Sequence, residues 1–258
     1  MSKMEKLSKA VCHVTGSKHC GLVSNGDNSV TLLPFPKLQV IGAEIPSDEL
    51  EYYPVYPGYL SSKNGPKMTS EFLSDVSGKV TAVTGIAPDG QFDKTFFGEA
   101  ADQDLMARLI RGDLPQHRIW EDAGHAAMIS PKGKVPGYTI VVPRAHLAPD
   151  LLNLPDEEYD SLIAASHATA RALMLGLGVA RCGMFFEGFE GHYAHTKIIP
   201  IHEPSPSQQL DIAVRGPAPY SEDYQGYMTT QLGPTVKDEA ALIVLVEKIR
   251  AEVDALKI

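Results

Sequence analysis

The sequence of 258 residues is poor in cysteine and has no excess of basic residues. Its three cysteines, Cys12, Cys20 and Cys182, are odd in number and show no C-x-x-C spacing, so they indicate neither a disulfide framework nor a cysteine-based zinc site. Lys and Arg number 23 against 32 Asp and Glu, which gives a net charge of -9 instead of the basic footprint of a duplex-binding protein. We therefore expect no nucleic-acid partner, and any nucleotide must be held locally.

Long apolar runs are also missing. No stretch approaches the ~20 apolar residues of a membrane span, and the N-terminus (MSKMEKLSKAVCHV) has scattered charges without the apolar segment of a signal peptide. Hydrophobic residues make up 43% and charged residues 21%, a globular composition that excludes disorder. These absences predict a cytoplasmic protein with no membrane partner.

What is present between residues 100 and 258 predicts an α+β fold. A short amphipathic helix at 102–111 precedes three apolar runs separated by turn residues, and a long helix begins after Pro155. Two further strands follow, and a last helix begins near 236. We predict an antiparallel sheet of about five strands, with two helices on one face and a C-terminal helix. The apolar residues expected to form a buried stripe on the last helix are Leu242, Leu245, Val246, Ile249 and Val253.

The first 95 residues contain an internal similarity to the last third of the chain. Segment 56–66 (YPGYLSSKNGP) and segment 224–234 (YQGYMTTQLGP) share Tyr, Gly, Tyr, Gly and Pro at a constant offset of 168. These repeated segments are interpreted either as matching lid or interface elements or as ordinary loop packing. A fixed offset over several residues indicates a repeat.

Two upstream matches extend the similarity. At an offset of 162, Cys20, Gly21 and Gly26 match Cys182, Gly183 and Gly188. At an offset of 166, Leu-Leu-Pro at 32–34 matches Ile-Ile-Pro at 198–200, so the first copy is four residues shorter and lacks a histidine-bearing strand. We therefore divide the chain into a degenerate half-repeat, residues 1–95, and a complete domain, residues 96–258, with a linker near 85–98. Accidental recurrence of turn residues is the alternative.

Three of the nine histidines, His192, His195 and His202, fall within eleven residues. On a strand, His195 shares a face with Tyr193 and Lys197, whereas His192 points to the other face. Zinc binding through His192 and His195 is disfavoured, because three-residue spacing converges on a helix and not on a strand; we expect no metal and no cofactor. An imidazole between a phenol and an ammonium suits an anionic phosphoryl group, while a structural histidine on a half-buried strand is the alternative.

The run Tyr193-Ala-His195-Thr-Lys197-Ile-Ile-Pro200 resembles the H-x-H-x-H signature of the histidine triad (HIT) superfamily, of which it keeps the central histidine. The segments LIRGDLPQHRIWED, VPGYTIVVPRAH and LLNLPDEEYDSL resemble other family segments in order and spacing, over about 100–202. The run EGFEGHYAHTKIIPIH resembles more closely a branch with H-x-K in place of the last H-x-H. The resemblance implies a HIT-like fold, with a degenerate HIT-like half at residues 1–95.

The resemblance also implies a mechanism. His195 would attack the α-phosphorus of a nucleoside phosphate derivative and form a nucleotidyl-histidine intermediate, as in a phosphoanhydride or phosphoramidate hydrolase or a nucleotidyl transferase. The implied donors to the phosphoryl oxygens are Lys197, Tyr193 and backbone amides around Gly188 and Gly191. Alternatively, Lys197 is a solvated lysine at a strand end, and Tyr193 packs on the sheet.

Several polar positions of the family are changed. Tyr138 replaces a histidine after Pro-Gly, and Ser130 replaces the acidic residue that would hold the ribose hydroxyls. With His192, they complete the predicted site for a small phosphorylated ligand, expected to be a nucleotide. His146 matches a family histidine, in a structural or a catalytic role. Two alternatives follow: a catalytically inactive phosphate-ligand binding or scaffold protein, or a HIT fold recruited to a non-nucleotide substrate. The family further implies a homodimer, since two protomers or two repeats join their sheets edge to edge.

Overall fold

The computed structural model describes residues 3–27, 29–36, 38, 50–87, 91–189, 191–209, 218, 221 and 224–256. Within them lie seven strands: β1 His19–Ser24, β2 Val30–Phe35, β3 His117–Glu121, β4 His125–Ile129, β5 Thr139–Pro143, β6 Cys182–Phe186 and β7 Thr196–Pro200. The α-helices of the same residues are α1 Lys3–Thr15, α2 Ser70–Thr84, α3 Leu105–Arg111, α4 Asp156–Leu177, α5 Pro206–Gln209 and α6 Glu239–Ala255. The α+β class predicted from the sequence is confirmed.

All seven strands belong to one antiparallel sheet in the order β2-β1-β6-β7-β5-β4-β3. Residues 100–258 supply five of these strands, as predicted. The whole sheet is two strands wider, because β1 of the N-terminal hairpin pairs with β6. The edge of β6 is therefore already hydrogen-bonded within the chain.

Two helices begin and end where the sequence places helix signals. The Asp104 carboxylate accepts a hydrogen bond from the amide of Met106 and caps α3, and Gly112 ends this helix with a left-handed φ of 74°. The three acidic residues in the first turn of α4 stabilise the positive end of its dipole, and Gly178 ends it at a φ of 67°.

The two helices predicted to share one face of the sheet lie on opposite faces, which corrects that expectation. Ala107 and Ile110 of α3 pack in one cluster with Met128 and Val142. The α4 helix packs in another cluster, which includes the strand neighbour Val141. Because successive strand residues point to opposite faces, the clusters lie on the two sides of the sheet. The α2 helix packs beside α4.

The C-terminal helix α6 is also less buried than predicted. None of its residues is buried, and Leu242 and Val246 are 41% and 43% exposed. Three residues of the predicted stripe are half-buried: Leu245, Ile249 and Val253. The reason is that α6 packs chiefly against α1, at the margin of the molecule, and not against the sheet.

The described part of the predicted linker is fastened to the edge of the sheet. The fully buried guanidinium of Arg144 donates to the carbonyl oxygens of Asp93 and Thr95 and to the carboxylate of Glu121. Arg118 donates to the same carbonyl of Asp93 and to Glu121. Two arginines thus hold the segment that leads into α3, which the sequence pattern did not reveal.

Candidate active site

The strand β7 carries the centre of the site. Phe185 of β6 and Ile140 of β5 both pair with Lys197, so β7, which directly follows His195, lies between two neighbours. Thr196 faces the helix α4, where its hydroxyl lies 2.7 Å from that of Ser166. Strand alternation therefore turns Lys197, and His195 before it, toward the opposite face, as predicted.

The imidazole of His195 is buried and held in one tautomer. Its Nδ1–H donates to the carbonyl oxygen of Tyr193 at 2.9 Å, which leaves the lone pair on Nε2. Burial, together with the ammonium of Lys197, lowers the pKa of His195 from 6.5 to about 4. The side chain is therefore a neutral imidazole at neutral pH, the form in which it is a nucleophile.

Lys197 forms a buried ion pair. Its Nζ lies 3.0 Å from Oε1 of Glu187, and the side chains are 2% and 1% exposed. The hydroxyl of Tyr224 donates to the other oxygen of Glu187 at 2.9 Å, and Nζ also donates to the carbonyl oxygen of Ser62 at 3.2 Å. The alternative of a solvated strand-end lysine is wrong. Glu187, Ser62 and Tyr224 were missed as site residues; the EGF run was the signal for Glu187.

Tyr138 converges on the same carbonyl oxygen. Its hydroxyl donates to Ser62 at 2.7 Å, beside the contact of Lys197. Ser130 lies next to it, because its amide donates to the carbonyl of Tyr138 and its hydroxyl accepts from the amide of Lys132. The structure thus brings Tyr138 and Lys197 together and leaves Ser130 engaged in its own turn.

Tyr193 precedes His195 by two residues and packs in the cluster that contains Ala107 and Ile110 of α3. Its hydroxyl donates to the carbonyl of Pro143 at 2.7 Å, and its ring stacks on His146 with the centroids 4.6 Å apart. Burial raises the pKa of the Tyr193 phenol. These contacts are those of the packing interpretation, and a role of Tyr193 toward phosphate stays a prediction.

His146 connects this cluster to the loop before β7. Its Nδ1 lies 2.6 Å from a carboxylate oxygen of Asp102, and its Nε2 lies 2.8 Å from the carbonyl oxygen of His192. Burial lowers the pKa of His146, but the hydrogen bonds to Asp102 and to the His192 carbonyl outweigh it, so this pKa is raised. A protonated His146 would donate to both partners, which places a cation beside Tyr193.

The loop between β6 and β7 contains the remaining predicted residues. Gly188 has a φ of 67°, and a Cβ there would overlap the carbonyl oxygen of Pro149. Gly191 is half-buried, and a Cβ on it would meet no atom within 4 Å. His192 is exposed and contributes its carbonyl to His146. The close approach at Gly188 fixes the loop, while Gly191 leaves open space beside its backbone.

Two further properties concern metal and membrane. Among the described residues, no group of three or more His, Cys, Asp or Glu side chains is placed to hold a metal ion. In the same part of the chain, every helix is too short or too polar to cross a bilayer.

Part of the chain is similar to known proteins. No family model matches the chain. It is similar to curated proteins from two Mycobacterium tuberculosis strains, each described as an uncharacterized HIT-like protein, with 34% identity over 68 residues. This match covers 26% of the chain and 46% of each relative, so the chain spans about half the length of the curated relatives. This partial match agrees with the resemblance of the motif around His195 to the HIT signature.

Solved structures with a related arrangement include a Streptococcus mutans protein, with a TM-score of 0.43 and 19% identity over 61% of this chain and 90% of that one. Another is a member of the HIT family of proteins from Bacillus subtilis, with a TM-score of 0.42 and 18% identity over 61% of this chain and 98% of that one.

Proposed function

We propose that this chain is a nucleotidyl hydrolase or transferase that forms a covalent adduct on His195. The observation that supports it is the state of the imidazole: Nδ1–H is committed to the Tyr193 carbonyl, and a pKa of about 4 keeps Nε2 unprotonated. A nucleophile that is neutral throughout the physiological range needs no separate base. The proposed ligand is a small phosphorylated molecule, a nucleotide by family resemblance.

The proposed reaction has two displacements. In the first, Nε2 of His195 attacks the α-phosphorus, an N–P bond forms, and the bond from phosphorus to the leaving group breaks with its electron pair on the leaving group. In the second, water or another acceptor hydroxyl attacks the same phosphorus and loses a proton to solvent. The N–P bond then breaks, which returns the neutral imidazole. Splitting one difficult step into two is the gain from covalent catalysis.

Stabilisation of the phosphoryl oxygens is assigned to Lys197 and to the loop amides near Gly188 and Gly191. The ammonium of Lys197 is already paired with Glu187, so the pair contributes little net charge to an incoming anion. The additional donors in this proposal are the backbone amides beside Gly191, because the ring of His146 is itself paired with Asp102. We therefore expect the site to select its ligand by the geometry of its hydrogen bonds, with only weak electrostatic attraction for an anion.

The experiment is a search for the adduct. The protein is mixed with a nucleoside polyphosphate or a nucleoside phosphoramidate, quenched, and weighed by intact mass spectrometry. We expect an added nucleotidyl mass that is lost in acid and absent in His195→Ala. The matched control is His167→Ala, which keeps the adduct because His167 is exposed on α4, on the opposite face of the sheet from Lys197. Absence of adduct and of turnover across a broad phosphate panel would reject the proposal.

A second candidate is phosphate-ligand binding without turnover. It is supported by the Ser62 carbonyl, which occupies the donors of both Lys197 and Tyr138. In this case ligands raise the melting temperature without product, and the rise persists in His195→Ala. A rise that depends on His195 and accompanies product would favour the enzyme.

The homodimer and the cytoplasmic location stay predictions. A second copy cannot pair with β6, whose edge is hydrogen-bonded to β1, so an edge-to-edge dimer would have to use β2 or β3. Sedimentation equilibrium measures the assembly directly, and an N-terminal variant that alters only β2 would distinguish the two edges.

A further inference from the structure

The two similar regions of the chain form hairpins with the same register. Cys20 pairs with Pro34 in the β1–β2 hairpin, and Cys182 pairs with Pro200 in the β6–β7 hairpin. These are the positions that the offsets of 162 and 166 relate. The sequence similarity is therefore matched by equivalent strand pairing.

The two hairpins meet through equivalent strands. Leu22 pairs with Phe186 and Ser24 pairs with Met184, and the offset of 162 converts each of these pairs into the other. The pair of Val23 and Phe185 converts into itself. Strands β1 and β6 are thus related by a local two-fold axis at Val23 and Phe185.

The repeated Tyr-Gly segments follow the same symmetry. We call residues 56–66 strap 1 and residues 224–234 strap 2. Ser61 of strap 1 forms a β-bridge with Thr229 of strap 2, and these positions are related by the offset of 168. The bridge therefore lies on the symmetry axis of the straps.

Hydrogen bonds around the bridge come in symmetric pairs. The amide of Leu60 donates to the hydroxyl of Thr230, and the amide of Met228 donates to the hydroxyl of Ser62, both at 2.8 Å. The amide of Ser62 donates to the carbonyl of Met228, and the amide of Thr230 donates to the carbonyl of Leu60. Each bond becomes its counterpart when the two copies are interchanged.

Each strap lies on a strand of the other copy. A Cβ on Gly183 of β6 would collide with the end of Leu60, which belongs to strap 1. A Cβ on Gly21 of β1 would collide with the sulfur of Met228, which belongs to strap 2. Gly21 and Gly183 are equivalent positions, and so are Leu60 and Met228. The straps are exchanged between the copies.

The chemistry is not symmetric. The positions equivalent to His195 and Lys197 are Ser29 and Thr31, at the offset of 166. Strap 1 nevertheless reaches across to the copy that keeps the histidine, where the Ser62 carbonyl accepts from Lys197 and Tyr138. The copy without a histidine therefore contributes a contact to the site of the other copy.

We propose that the chain is an internal duplication with one active and one vestigial site, in which strap 1 of the vestigial copy positions Lys197 and Tyr138 beside His195. Strap 2 is its structural counterpart. The inference rests on the proposed function, because it takes His195 as the reactive group. Its test does not require that the protein turn over a substrate.

Double-mutant cycles test the exchange of the straps. Gly183→Ala should lower the melting temperature in the wild type and much less in Leu60→Ala, where the added methyl group finds space. Gly21→Ala should behave in the same way with Met228→Ala. The crossed combinations, Leu60→Ala with Gly21→Ala and Met228→Ala with Gly183→Ala, should be additive. Coupling in the crossed combinations, or its absence in the matched ones, would overturn the exchange.

The positioning role of strap 1 has a separate readout. Reaction of His195 with diethyl pyrocarbonate, followed by peptide mass spectrometry, should accelerate several-fold in Leu60→Ala and stay unchanged in the symmetric control Met228→Ala. Equal acceleration in both variants, or none in either, would overturn the role. Should Leu60→Ala not fold, the milder pair Leu60→Val and Met228→Val replaces it. A failed nucleotide adduct together with this pattern would reject the proposed function and keep the duplication.

Discussion

The carboxylate of Glu187 lies 3.0 Å from the ammonium of Lys197, and both side chains are almost wholly withdrawn from solvent. A buried charge pair depends on each partner, because either charge alone would be left without solvation. The remaining lone pairs of Glu187 are partly satisfied by the hydroxyl of Tyr224. This pair therefore links the loop before β7, strap 2 and the face that carries His195.

Removal of one charge of the pair should be strongly destabilising. We expect Glu187→Gln to lower the free energy of unfolding by about 3–5 kcal/mol, because the buried ammonium of Lys197 would lose the carboxylate that lies 3.0 Å from it. Urea denaturation measures the loss. The double variant Glu187→Gln with Lys197→Met should recover most of the stability, since no unpaired charge is left. A single variant as stable as the wild type would contradict the buried pair.

The stability of the protein should depend on pH through His195. Its pKa is about 4 in the folded protein against 6.5 in the unfolded chain, so the unfolded chain binds the proton more readily. Above about pH 6.5 this group therefore causes no loss of stability, and the loss grows as the pH falls toward 4. Over that window the folded state should lose about 3 kcal/mol relative to a variant without this group.

The measurement compares wild type and His195→Asn in urea at a series of pH values between those two pKa values. The variant should lose less stability than the wild type as the solution is acidified. Parallel curves for the two proteins would show that the pKa of His195 is the same in both states.

The pKa of His146 is raised, whereas that of His195 is lowered. Its pKa is raised by the hydrogen bond to Asp102, at 2.6 Å, so Asp102→Asn should lower the pKa of His146. Titration of the imidazole by NMR measures the shift. Asp122→Asn is the control: its carboxylate lies 3.2 Å from His125, and it should change the pKa of His125 and not that of His146.

The sequence was informative where a local rule decides the outcome. Strand alternation placed His195 and Lys197 on one face, and Gly112 and Gly178 ended their helices. Contacts between distant segments were not accessible in this way. The partners of Lys197 illustrate this, since Ser62 lies 135 positions away and no periodicity relates the two. The placement of α3 likewise depends on tertiary packing against Val142, which helix periodicity alone does not specify.

The buried arginine at the end of β5 should be essential for stability. We expect Arg144→Met to cost about 1.5–3 kcal/mol, because Glu121 and the Asp93 carbonyl keep only their contact with Arg118 and the Thr95 carbonyl loses its contact with Arg144. Arg181→Met is the matched control, since Arg181 pairs with Glu203 at the surface, with the side chains 35% and 52% exposed, and such pairs contribute about 0–1 kcal/mol. Equal losses in the two variants would contradict the clamp.

The glycine that fixes the loop before His195 should tolerate no side chain. Gly188 and Gly178 both have a φ of 67°, and a Cβ on Gly178 meets no atom within 4 Å, whereas one on Gly188 overlaps the carbonyl oxygen of Pro149. Gly178→Ala should therefore cost only the left-handed backbone penalty of about 1–2 kcal/mol. Gly188→Ala should cost clearly more, because the backbone of one loop has to move as well. It should also reduce adduct formation on His195, since this loop leads into β7. Calorimetry and intact mass spectrometry measure the two effects, and similar losses for both variants would mean that the contact with Pro149 does not constrain the loop.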